Sequence, residues 1–260
     1  MLRVQVRPYR VLIGPRLSVS FQRTRRVALN QPPRPKPSSL GALPVHLVSD
    51  YADRLPEQWK QQDGIFVPAF LAEAMWLGFS GANWKPNAVR VAVGQTDAVS
   101  GKAWEEKLHR DPQNYLVCPP QLALDGIYSG EGDVRQFAVS DVGAAVTKRS
   151  KLSKAEAIRI IVYDPKPGKF PHTPPPVPPR GPDVMHSRAS SSGGSLGIEP
   201  GGAIEDAIML DPFGPDTWDS ANYGDVFVHM LEAESYRQIT GLEPPPPIEE
   251  VRGYEKWRLP

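Results

Sequence analysis

The chain has 260 residues, a formal charge of +1 at pH 7, 40% apolar residues, 30 prolines, 22 glycines and one cysteine. A single cysteine excludes a disulfide framework and a multi-cysteine zinc site. No window approaches the roughly 18 apolar residues of a transmembrane helix, proline and glycine at this density argue against a helical bundle, and the near-zero charge gives no overall pull toward nucleic acid or membrane.

From the N-terminus, Leu2, Val4 and Val6 alternate with Arg3, Gln5 and Arg7, and Leu17, Val19 and Phe21 alternate with Ser18, Ser20 and Gln22. This period of two predicts half-buried strands, joined through the turn chemistry of Gly14-Pro15 into an antiparallel ribbon with arginines on its wet face. A mitochondrial targeting segment would show helical amphipathicity instead, so a cytoplasmic location is the expectation. Val45–Val48 reads as a short strand, Asp53–Gln61 as one or two helical turns and Ile65–Val67 as a strand. Pro68 suits the first position of a helix that would put Phe70, Ala74 and Leu77 on one face. Strands follow at Ala88–Val93, Tyr115–Cys118 and Val134–Val139, the last entered through a turn at Gly130–Asp133. Ser153 to Glu156 matches a helix capping box, but the β-branched run Ile158–Tyr163 favours a strand. Ala203–Leu210 and Asp225–His229 read as strands, and Glu232–Thr240 as a helix with Gly241 as its left-handed cap. The expected fold is mainly β (α+β), an antiparallel sheet or sandwich with a few short helices.

The prolines divide the chain. Stretches at Pro32–Pro37, Pro165–Pro182 and Pro244–Pro247 hold 17 of the 30. Residues 1–164 then read as a β-rich body with a basic ribbon, 165–202 as a Pro/Gly/Ser-rich flexible linker, 203–243 as a strand-strand-helix segment on the same body, and 244–260 as a tail. Charge is equally uneven, because residues 1–49 contain no Asp or Glu, whereas acids predominate after Gly201. Either the two ends pack together, or the N-terminal arginines, including Arg23, Arg25 and Arg26, form a surface for an anionic partner such as nucleic acid.

Several stretches resemble an uncharacterised family of bacterial and fungal proteins. They are Ala92-Val93-Gly94 with Ala98–Gly101 and Trp104, Asp111-Pro112-Gln113 with Tyr115-Leu116-Val117, Asp125-Gly126 leading to Arg135-Gln136-Phe137, Asp211–Gly214 with Trp218-Asp219, Val226–His229, and Ile239-Thr240-Gly241. The resemblance covers roughly 45–140 and 196–243. It implies that both sides of the linker form one unit, and it brings no assigned activity, cofactor or catalytic residue. This chain departs from the family after Gly202, where Glu205-Asp206 stands in place of a more basic strand.

Four chemistries merit weighing. Asp211, Asp216, Asp219 and Asp225, with Asn222, could give hard oxygen ligands to a divalent cation, with Asp216, Asp219 and Asp225 as the metal candidates. The spacing is not that of an EF-hand, and Asp and Asn beside Pro and Gly are also ordinary turn residues. His229 with Asp211 or Asp219 is the available acid–base pairing, although a hydrogen-bonded structural histidine is the plainer reading. Cys118 ends an apolar strand with no neighbouring base, which marks a buried, inert thiol. Pro175 and Pro178 followed by Arg180 match a polyproline ligand for an aromatic groove, or a plain spacer. Nothing calls for a cofactor. The expected function is a non-enzymatic binding or protein-interaction protein, with another protein as its partner. The alternatives are a carboxylate-based hydrolase, possible with a divalent cation, and a nucleic-acid binder using the arginines.

Overall fold

The structure, a computed structural model, describes residues 1–29, 32–62, 64–71, 73–129, 134–141, 157–176, 196–205 and 207–248. It is mainly β, as the alternation predicts. The N-terminal ribbon has three strands, β1 (Val4–Arg7), β2 (Arg10–Ile13) and β3 (Leu17–Arg25). The additional strand β2 fits the same rule, since Val11 and Ile13 are fully buried. Gly14, at φ 66°, makes the tight turn from β2 to β3.

Two-residue strands β4 (Arg34–Pro35) and β5 (His46–Leu47) follow. A 3-10 turn over Ser49–Arg54 and helix α1 (Glu57–Gln62) come next, then β6 (Gly64–Ala69) and β7 (Glu73–Ser80). The helix expected after Pro68 is therefore a strand. The spacing of Phe70, Ala74 and Leu77 suits a helix, but Met75, Leu77 and Phe79 also alternate, and all three are buried in the core. Pairing of β7 with β3 from Ser18↔Ser80 to Arg25↔Glu73 decides between the two periods.

The body continues through β8 (Asn87–Val93), β9 (Thr96–Asp97), β10 (Leu116–Cys118), β11 (Ala123–Leu124), β12 (Gly126–Tyr128), β13 (Val134–Asp141) and β14 (Ala157–Pro165). After it come β15 (Leu196–Glu205), β16 (Trp218–Glu232) and helix α2 (Ala233–Thr240), capped by Gly241 at φ 71°. Strand β15 starts earlier than the predicted Ala203 and stops before 207–210. That segment is held by two side-chain amides instead: Gln121 bonds the Ala207 carbonyl and the Met209 amide, and Gln113 bonds the Met209 carbonyl and the Asp211 amide. The turn at Gly130–Asp133 and the box from Ser153 to Glu156 lie outside the described residues.

Hydrogen-bonded neighbours run β1-β2-β3-β7-β13-β15-β16-β14-β8-β10. Strand β14 pairs with β16, so chain on both sides of 165–202 shares one sheet, and residues 196–202, expected as flexible linker, are instead strand β15 paired with β13. Side chains from the ribbon half (Ile13, Phe21, Leu77, Phe137) and from the other half (Val91, Ile160, Val228) occupy a single core. The sheet therefore curls so that its halves face each other, and the Leu2 amide bonds the Tyr223 carbonyl where the first strand meets β16. Strand β8 is buried on both faces. Its second face, with Ile161 and Tyr163 of β14, is covered by Tyr115, Val117, Trp218 and the half-buried Trp104 and Leu108. The described residues contain no helix long and apolar enough to cross a membrane.

Candidate functional site

The cover over β8 and β14 leaves a half-open cleft of about 670 Å³. One wall is the loop carrying Glu106, Lys107, His109 and Arg110. The 215–220 segment adds Pro215, Asp216, Trp218 and Ser220 to the lining, and Arg159, Ile161, Tyr163, Lys166 and Tyr223 form the floor over the strands. Alternation positions the floor: Arg159, Ile161 and Tyr163 lie on one face of β14, while Ile158, Ile160 and Val162 point into the core.

The charges of the cleft fall into two groups. Arg159 is fixed, because its Nε and Nη2 donate to Asp225 Oδ2 at 3.0 and 2.6 Å, and its guanidinium lies 5.6 Å from the Trp104 ring centre. The bonds to Asp225 raise the Arg159 pKa further, against its desolvation. Glu106 accepts a bond from the Trp104 indole and stands 3.8 Å from Arg159. By contrast, Lys107, Arg110 and Lys166 are exposed, and among the described residues their side chains make no hydrogen bond or ion pair. Asp216 is the exposed acid on the rim. The lining thus carries four permanent cations against two carboxylates. His109 is tied to Glu105 at 2.8 Å.

Behind the floor lies a fully buried cation. Arg90 of β8 stacks 3.8 Å from the Trp104 ring centre and pairs with Asp97 at 3.1 Å, and its Nη1 has no partner. Gly101 completes this region: at φ 70°, a Cβ would lie 1.9 Å from the Tyr128 carbonyl, so only glycine lets the loop close.

The acid–base and metal candidates do not assemble. Asp211 is buried and accepts from the Tyr115 hydroxyl, the Trp218 indole at 3.1 Å and the Phe213 amide at 2.7 Å. It is a structural hub, and burial beside it raises the Tyr115 pKa. Asp219 caps a turn through the Ala221 amide, and Asp225 serves Arg159. Among the described residues no group of three or more His, Cys, Asp or Glu is placed to hold a metal ion. His229 lies near the far end of β16 from Trp218, which bonds Asp211. At strand rise that separation is roughly 35 Å along the strand, so the pairing of His229 with Asp211 or Asp219 is corrected to two unrelated environments.

His229 is 1% exposed, stacks on Trp59 with ring centres 4.4 Å apart, and neither ring nitrogen has a partner. The expected hydrogen-bonded histidine is thus an unbonded one, and desolvation lowers its pKa to about 4. Nearby, His46 shares a bond with the Tyr236 hydroxyl at 2.8 Å, and burial lowers its pKa too.

The arginine surface also needs correction. Arg23 is buried and bidentate to Glu73, at 3.0 and 2.6 Å, and it holds the Pro246 carbonyl as well. Arg26 donates to the Val139 carbonyl, Arg16 pairs with Asp164, and Arg25 remains exposed. Thus Arg16 and Arg23 meet carboxylates of the central body rather than the acids after Gly201. Pro175 is exposed, whereas Pro178 and Arg180 lie outside the described residues.

Trp59 and Trp218 are core residues. Trp76 is half-buried with Lys36 Nζ 4.2 Å from its ring centre, and Trp84 is half-buried as well. Cys118 is fully buried, and desolvation pushes its thiol up to about 12. The native protein should therefore resist alkylation at neutral pH and become labelled only in denaturant, measured as mass gain with iodoacetamide; rapid labelling of the folded chain would contradict this burial.

Apart from Asp216 and Trp218, the cleft residues carried no functional signal in the sequence. Lys107, Arg110, Arg159 and Lys166 are ordinary charged positions in isolation, and only the packing of the 105–110 loop opposite β14 makes them neighbours. Comparison with protein-family models, with characterised proteins and with solved structures finds no match to this chain.

Proposed function

We propose that the chain is a non-enzymatic binding protein and that its ligand is an anion held in the cleft between the 105–110 loop and Pro215–Ser220. The observation that carries this reading is the pairing of Lys107, Arg110 and Lys166, none with a bonded partner among the described residues, with a concave aromatic floor. Exposed cations around a low-dielectric concavity concentrate anions. The size also fits, since clefts for small ligands run to roughly 300–1,000 Å³. Less supports the hydrolase reading, because two of its carboxylates serve other partners: Asp211 binds Tyr115 and Trp218, and Asp225 binds Arg159.

Calorimetric titration with inorganic pyrophosphate at low salt tests the proposal. Binding should weaken as salt rises and should fall at least tenfold in the double variant Arg110→Glu/Lys166→Glu, whose exposed positions leave the fold intact by circular dichroism. No heat at low salt, or equal affinity in the variant, would overturn the reading.

A further inference from the structure

The cleft is larger and more aromatic than a small inorganic anion requires. A phosphate would engage one or two of the cations and leave most of the 670 Å³ unfilled. Lys107 and Arg110 stand on the loop and Arg159 and Lys166 on and just beyond β14, so an occupant that meets both pairs carries more than one negative group. Between them lies a tyrosine pair: Tyr163 is nearly buried, and Tyr223 is half-buried, with ring centres 5.9 Å apart and planes inclined at 39°. The Tyr223 ring therefore presents part of its surface to the cleft, where a planar ring can stack.

A buried ion pair flanks that floor. Arg90 is wholly out of solvent, and its one carboxylate, Asp97, is shared with the Val99 amide, the Ser100 amide and the Ser100 hydroxyl. One face of the buried guanidinium rests on Trp104, whose ring Arg159 also approaches. Arg90 and Asp97 thus form a buried ion pair under Trp104 that fixes the packing of this ring at the side of the cleft floor.

We infer that the cleft takes a nucleoside di- or triphosphate, with its base against Tyr223 and its phosphates spanning Arg110 and Lys166. The inference rests on the anion-binding reading above and narrows it to a ligand class. Stacking on an aromatic side chain tolerates any base, so selection among bases is expected to be weak.

Isothermal titration of the full chain with ADP and with inorganic pyrophosphate, each repeated on Tyr223→Ala, separates the two claims. ADP should bind at least tenfold more tightly than pyrophosphate. Tyr223→Ala should remove most of that advantage while leaving pyrophosphate affinity unchanged, and Tyr223→Phe should retain it. Equal affinity of ADP and pyrophosphate overturns the nucleoside inference and leaves the anion site standing. Loss of both ligands in Tyr223→Ala, with the fold intact by circular dichroism, also overturns it. Absence of binding by either ligand to the parent protein overturns both claims.

Discussion

Replacing Asp97 with alanine is expected to cost about 3–5 kcal/mol, the cost of leaving a buried charge without its partner. Arg90 is 0% exposed and Asp97 1%. The carboxylate joins Arg90 Nη2 on one oxygen and the Val99 amide, Ser100 amide and Ser100 hydroxyl on the other, at 2.9–3.1 Å. Burial pushes the Asp97 pKa up, while the Ser100 bonds and the Arg90 charge oppose that rise. Alanine removes every one of these acceptors and strands a guanidinium that already has one unpaired nitrogen. Asp97→Asn keeps acceptors for the loop amides, so it should lose less. The double variant Arg90→Met/Asp97→Asn should recover at least half of the alanine loss, since no buried charge remains. Urea unfolding of the three variants measures this. A loss under about 1 kcal/mol for Asp97→Ala would show that the pair contributes little beyond packing.

Acid should destabilise the protein through His229 in a window set by its two pKa values. The folded state keeps the imidazole neutral, with a pKa lowered to about 4 from 6.5 by desolvation against Trp59. The unfolded chain binds the proton below pH 6.5, so the associated stability is whole above that pH. It is lost progressively as pH falls toward 4. At 1.36 kcal/mol per pH unit the full loss is about 3 kcal/mol. Carboxylates titrate in the lower part of the same window, and His46, also lowered by burial, contributes in the same sense. Comparison with His229→Phe isolates the one group. The variant should match or exceed the parent at about pH 7.5, because two unbonded nitrogens are removed, and should lose about 2–3 kcal/mol less between there and about pH 4.5. Parallel pH dependence in parent and variant would contradict this assignment.

The strands were legible in sequence where apolar residues alternate and nothing else competes, as at Leu17–Phe21 and Val89–Val93, and at Ile158–Tyr163 the β-branched run outweighed the capping box before it. They were obscured in two places for different reasons. In β7, Phe70, Ala74 and Leu77 satisfy a helical period while Met75, Leu77 and Phe79 satisfy an extended one, and the eight-residue register with β3 selects the second. In β15, Gly197, Gly201 and Gly202 read as linker composition. Yet Gly202 suits close backbone approach, because a Cβ there would lie 2.4 Å from the Ala28 carbonyl. The candidate site was less legible. The Asp211–Asp225 cluster attracts attention by density, but its members face different partners, and density along a chain says little about convergence.

By itself the sequence determined the fold class, the three-part placement of its prolines and the inertness expected of Cys118. Alternation and burial of a short apolar strand are local properties that the backbone pleat imposes. Tertiary structure alone decided which charges meet. Arg23 finds Glu73, Arg16 finds Asp164, and Arg159 finds Asp225 across 66 residues of chain. Strand order and register set those distances, and neither is written in any one segment. The same holds for the cleft: Lys107, Arg110, Lys166 and Tyr223 become neighbours only because the 105–110 loop lies opposite the paired strands β14 and β16.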